Sequence, residues 1–154
     1  MKRPSTMVEV MVSMRVRDVL SAIHHRYGSL AKLRKHLDKH PDDRTGVMLW
    51  DTADRHKDEP DMVVQLGEVL IGDPSEILSM AKLELIATLM GRPAVSLREL
   101  ARTLGKNPAT VLEQVAQLEE AGLVLKESKG PGRPAAIRPL ATELTIRVSA
   151  GTKA

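Results

Sequence analysis

A mainly α chain of the α+β class is predicted, and three observations carry the prediction. Apolar residues recur at helical spacing in several blocks, each closed by glycine or proline. Only short stretches alternate apolar and polar residues as strands do. The core-forming residues are Leu, Val, Ile, Met and Ala, with one Trp, one Tyr and no Phe, which suits packing between helices and argues against a large β-sandwich. The 154 residues leave room for one domain and an appendage.

Residues 7 to 12 (Met-Val-Glu-Val-Met-Val) alternate loosely and predict a short strand. Val16, Val19, Leu20, Ile23 and Tyr27 fall at helical spacing and stop at Gly28. Ser29 then caps a second helix carrying Leu30, Leu33 and Leu37, which ends at His40-Pro41. The block is a helical hairpin or one bent helix. Residues 38 to 61 are dominated by Asp, Lys, Arg and Pro around the island Val47-Met48-Leu49-Trp50, so they predict a linker or a loop holding one buried segment. A domain boundary falls there, dividing an N-terminal strand and helical extension with its polar linker (1–60) from the remainder (61–154).

Residues 62 to 66 predict a strand, and Asp73-Pro74-Ser75-Glu76 a helix start. The apolar stripe Ile77, Leu78, Ala81, Leu85, Ile86 and Leu89 follows, with a re-start at Ser79 as the alternative, and ends at Gly91-Arg92-Pro93. Ser96-Leu97-Arg98-Glu99 is a capping box, and Leu97, Leu100, Ala101 and Leu104 continue at i, i+3, i+4, i+7 before Gly105. After a tight turn, Asn107 caps a helix with Pro108 in its first position, an inner face of Val111, Val115 and Leu118, and an end at Gly122. Two short helices joined by such a turn are the helix-turn-helix layout. Leu123 to Ser128 and Arg133 to Arg138 then predict a β-hairpin around Lys129-Gly130-Pro131-Gly132, the position of a wing. The predicted fold is a winged helix-turn-helix domain with an N-terminal helical extension and short peripheral strands.

The stretch 96 to 124, from Ser-Leu-Arg-Glu-Leu-Ala-Arg-Thr-Leu-Gly-Lys-Asn-Pro-Ala-Thr-Val to Glu-Glu-Ala-Gly-Leu-Val, resembles the winged helix-turn-helix of MarR-type transcriptional regulators, and the likeness runs from 75 to 139. More narrowly, the N-terminal strand, the acidic strand-and-turn before the first helix of the unit and the tail Glu143-Leu144-Thr145-Ile146-Arg147-Val148 resemble a group of small prokaryotic DNA-binding proteins, some of which act as antitoxins in toxin–antitoxin pairs. The helices at 14 to 40 have no counterpart in that resemblance.

With Val111, Val115 and Leu118 inward, helical spacing exposes Ala109, Thr110, Glu113, Gln114 and Gln117. Glutamine can pair with adenine, Thr or Ala can touch a thymine methyl, and Glu can accept from cytosine N4. This helix has no Lys or Arg, so phosphate affinity must come from outside it. Candidates are Arg98, Arg102, Lys106, Lys126, Lys129, Arg133 and Arg138, with Asn107 at the helix start. Gly130-Pro131-Gly132-Arg133-Pro134 resembles the Gly-Arg-Pro core of minor-groove hooks; the alternative is a turn that closes the hairpin.

Residues 1 to 60 carry 12 basic and 9 acidic groups, 61 to 91 carry 1 and 5, and 92 to 138 carry 8 and 5. Two mildly basic parts thus flank an acidic middle, a balance shared by phosphate-binding and by ordinary solvated surfaces. Without Cys, a disulfide scaffold, a Cys-ligated zinc site and a thiol nucleophile are excluded. His36 and His40 have a metal-binding spacing, but no acidic partner stands beside them in a metalloprotease pattern, and His24, His25, His36, His40 and His56 are better read as solvated. No cofactor, metal or enzymatic motif is expected. The basic start at Met1-Lys2-Arg3 leads into no secretory apolar core, and no stretch is long enough to span a membrane, so a cytoplasmic protein is expected.

These readings converge on a sequence-specific DNA-binding regulator, a repressor that binds duplex DNA as a homodimer. The dimer seam is expected at the helix from 75 to 90 together with the strands at 7–12 and 143–148. A protein-interaction module that holds a toxin-like partner is the alternative. Residues 14 to 40 are either a docking element with a basic face or a helical pair folded back on the rest of the chain.

Overall fold

The computed structural model describes residues 6–66 and 79–150. In chain order these form β1 (Thr6–Arg15), α1 (Val16–Tyr27), α2 (Leu30–Lys39), α3 (Arg44–His56), β2 (Val63–Leu66), α4 (Met80–Gly91), α5 (Leu97–Leu104), α6 (Pro108–Glu120), β3 (Val124–Glu127), β4 (Ala136–Pro139) and β5 (Ala141–Ala150). The class is mixed α and β, as expected. The helix start expected at Asp73 lies outside the described residues; Ser79 caps α4, its hydroxyl accepting from the Lys82 N–H at 3.2 Å.

β1 is antiparallel to both its neighbours, in the order β2-β1-β5, and it pairs with β5 from Thr6↔Ala150 to Ser13↔Glu143 before the register shifts. Val10, Val12 and Met14 alternate into the core. α1 begins directly after β1. Its first N–H groups, which no helix can satisfy internally, donate to the carbonyls of Met62 (2.9 Å, from Val16) and Pro60 (3.0 Å, from Arg17), and Arg17 and Asp61 form an ion pair beside them.

Two expectations for the N-terminal part are corrected. The stretch expected to be a linker or a loop holding one buried segment does bury Leu49 of that segment, but as part of a helix, α3, capped by the Asp43 carboxylate on the Gly46 N–H at 3.0 Å. Gly46, Leu49 and Ala53 are its buried stripe, and two of these three are too small to register as apolar anchors. A Cβ on Gly46 would lie 3.1 Å from a Leu37 methyl, so the small residue lets α3 approach α2. The second correction concerns independence. Residues 1–60 and 61–154 share the β1–β5 pairing and one continuous core, from Met14, Ile23, Leu33 and Leu49 to Leu85, Leu100, Leu118 and Ile137.

In the second half, the Ser96 hydroxyl accepts from the Glu99 N–H at 3.0 Å, and Leu100 and Ala101 bury the inner face of α5. Gly105 follows in the left-handed region at φ 66°, where an L side chain would be strained. Asn107 caps α6, accepting from the Ala109 N–H at 2.8 Å. β3 and β4 pair from Val124↔Pro139 to Glu127↔Ala136, and Ala94 adds a bridge to Ile137. The return strand starts at Ala136 rather than Arg133, because Arg133 and Pro134 still belong to the turn closed by the Arg133 N–H on Gly130 O.

Candidate nucleic-acid interface

α6 buries Val111, Val115 and Leu118 and leaves Asn107, Ala109, Thr110, Glu113 and Gln117 exposed. These five lie where the sequence places them. Gln114 does not: it is half-buried, and its amide oxygen is enclosed without a hydrogen-bond partner. Leu112, 43% exposed, takes an outward place instead. It was legible only as an apolar residue off the inner stripe.

The cations surround α6 rather than sit on it. Arg98 is exposed in the first turn of α5, Lys106 is half-buried in the turn between the helices, and Arg133 is exposed at the tip of the β3–β4 hairpin. Lys129 is also exposed, with its ammonium 3.6 Å from Glu127. Ser96, Leu97, Arg98, Pro108, Leu112, Lys126 and Pro134 line a mainly apolar groove of about 570 Å³ between the starts of the two helices and the hairpin tip. Arg98 and Lys126 are its charged members.

Arg138 is engaged within the chain. Its guanidinium donates to the Asp18 carboxylate of α1 at 2.7 Å, to Glu127 of β3 and to the Ser21 hydroxyl at 3.3 Å. The hydrogen bond from Arg138 is the main reason why Glu127 titrates below its ordinary value. Burial works against the Arg138 charge, but its bonds to Glu127 and Asp18 outweigh it and raise the pKa.

α6 is also less acidic outward than its composition implies. Glu119 turns away from the exposed side, accepting the Lys126 backbone N–H at 3.0 Å with His25 3.7 Å away. Arg26 of α1 donates to the Glu120 carbonyl at 2.8 Å, a cation at the negative end of the helix dipole. Helix α1 therefore braces both α6 and the hairpin, the folded-back alternative for residues 14 to 40.

His36 and His40 lie ring against ring at 4.7 Å, and His36 Nε2 is 3.0 Å from the Asp43 carboxylate that also accepts the Tyr27 hydroxyl at 2.9 Å. This cluster joins the ends of α1, α2 and α3. Among the described residues no three His, Asp or Glu side chains gather as metal ligands, and no helix is long and apolar enough to cross a membrane.

Compared with known proteins, residues 77–139 match the family described as HVO_A0114. That span takes in α4, α5, α6 and the β3–β4 hairpin. No curated protein matches the chain.

Proposed function

We propose that the chain is a sequence-specific DNA-binding transcriptional regulator acting as a homodimeric repressor, with α5 and α6 as a helix-turn-helix and β3–β4 as its wing. The observation that carries the reading is the outward side of α6: small and polar groups at Asn107, Ala109, Thr110, Glu113 and Gln117, flanked by Arg98, Lys106 and Arg133. An α-helix fills the major groove, where Thr110 and Ala109 suit a thymine methyl, Gln117 an adenine edge and Glu113 a cytosine amino group. Arg98, at the positive end of α5, and Lys106 suit the phosphates on either side, contacts that set register without reading sequence. The tip arginine suits a narrow minor groove.

The MarR-like resemblance of residues 75 to 139 supports the same reading. The test is capture of genomic fragments by the full chain, followed by titration of captured and random duplexes. A captured duplex should bind at least tenfold more tightly, and Thr110→Ala should erase part of that margin. Equal affinity for both duplexes would overturn base reading.

A second reading, an antitoxin-like protein that holds a partner, is favoured by the apolar margin of this surface, with Leu112 43% and Val95 61% exposed. Leu112→Ser, which adds no charge, distinguishes the two: it should weaken capture of a protein partner in the second reading, and random-duplex affinity, which is set by charge, should stay nearly unchanged.

A further inference from the structure

We infer that the outer edge of β5 is the docking site for a second copy of this chain, strand against antiparallel strand. The inference rests on the homodimer proposed above and assigns the surface that forms it. β5 runs for ten residues and, among the described residues, pairs only with β1. Long open edges are normally blunted by Pro, Lys or bulges, because their unpaired N–H and C=O groups template pairing with another chain. Ala141–Ala150 contains no Pro, Gly or Lys. The one register shift lies at its start, beside Ser13 and Met14.

The need for cover is greatest at the far end. β2 pairs only with Val12–Arg15 of β1, so beyond that point β1 and β5 form a two-stranded ribbon among the described strands. Such a ribbon is marginal alone, and further strands stabilise it. On the face shared with buried Val10 and Val12, Leu144 and Ile146 are only half covered and Val148 is 66% exposed.

Register follows from parity and charge. A second copy keeps its apolar face on the same side only if the two-fold axis passes through a residue rather than between two, since a one-residue slip turns every side chain over. With the axis at Thr145, Thr145 meets Thr145 of the second copy, Leu144 meets Ile146, and Glu143 meets Arg147. Val148 then lies diagonal to Leu144, within cross-strand reach. Moving the axis to Leu144 sets Arg147 against Ala141, and moving it to Ile146 sets Glu143 against Ser149. Only the Thr145 axis joins the opposite charges while matching the apolar pair, in the self-complementary arrangement a two-fold dimer requires.

The chain has no cysteine, so single cysteines read this geometry directly. Full-length Thr145→Cys should be captured as a covalent dimer by mild oxidation or a short bis-maleimide. Asp38→Cys, on the exposed side of α2, should stay monomeric under the same treatment. Glu143→Cys and Arg147→Cys should each fail to link alone and link when mixed. Cross-linking of Thr145→Cys no better than Asp38→Cys, or sedimentation of the unaltered chain as a monomer at high micromolar concentration, would overturn the inference. A monomer that still prefers captured DNA defeats this inference and the homodimer it rests on, and leaves base reading standing. A β5-linked dimer that binds all duplexes equally supports it and defeats base reading.

Discussion

Asp18 near the start of α1 and Arg138 in β4 meet at 2.7 Å although they stand 120 positions apart in sequence. The Asp18 side chain is 11% exposed and that of Arg138 30%. The contact sits between the extremes of a solvated ion pair, which contributes little, and a buried one, whose disruption is costly. It joins the N-terminal helices to the hairpin that follows α6.

Arg138→Met should therefore lower stability by about 1–3 kcal/mol, the range for hydrogen bonds to charged groups left unmade. Urea unfolding should show a lower midpoint with the slope unchanged. The substitution should also weaken the acid sensitivity supplied by Glu127. That carboxyl is held below its ordinary 4.5 in the folded chain, so its contribution is complete above pH 4.5 and is lost as pH falls through the folded value. A midpoint shift that is the same at neutral and acid pH would contradict this assignment.

Tyr27 gives a sign-opposite test at high pH. Burial, helped by its hydrogen bond to Asp43, pushes its pKa from 10.0 up to about 12. A raised folded value means stability that is complete below pH 10.0 and lost as pH rises towards 12. As the chain has one tyrosine, the phenolate absorbance reports it alone. Its titration should be displaced upward, and Asp43→Asn should move it back towards the ordinary value.

Removing residues 1–60 should leave an aggregated or unfolded remainder. The cut deletes β1, the described partner of β5, together with Val10, Val12, Met14, Ile23 and Leu49 of the core. A dispersed, folded NMR spectrum from 61–154 would show that the second half needs none of this.

Gln114 and Thr110 should behave differently despite sharing α6. The enclosed amide oxygen of Gln114 makes no hydrogen bond, and burying an unsatisfied polar atom costs on the order of 1 kcal/mol or more. Gln114→Met should raise the melting temperature and leave duplex preference intact. Thr110→Ala should leave stability within about 0.5 kcal/mol and cost roughly 1–3 kcal/mol at particular base positions. Equal loss of duplex preference in both variants would return Gln114 to the reading surface.

Arg133→Ala should weaken binding more on A·T-rich than on G·C-rich flanks, because an inserted guanidinium gains most in a narrow, strongly negative minor groove. Equal losses on both flanks would reduce the residue to a phosphate contact.

The order of helices from Ser96 to Gly122 was legible because each start and stop is local chemistry: a serine cap, a left-handed glycine, an asparagine cap with proline behind it. α3 was not, since Gly46 and Ala53 carry its buried period without bulk and its ends are heavily charged. The strands at 7–12 and 143–148 could each be read from alternation. Their pairing could not, because nothing within either stretch specifies its partner. The same holds for Asp18 and Arg138, which look in sequence like two ordinary surface charges. Thr110, Glu113 and Gln117 followed from helical phase. Gln114 failed because it sits at the margin of the inner stripe, where a few degrees of rotation decide between solvent and interior.

The Thr6↔Ala150 register sets an order on synthesis. β1 leaves the ribosome long before β5, the strand that covers it along most of its length. Until then Val10, Val12 and Met14 have only β2 and the helices to shelter them. Contacts between strands so far apart in sequence form slowly, since a long loop must close before they reward it. The sheet therefore closes only once β5 has been made, and until then the nascent chain presents an apolar strand paired only in part to chaperones or to other nascent copies of itself.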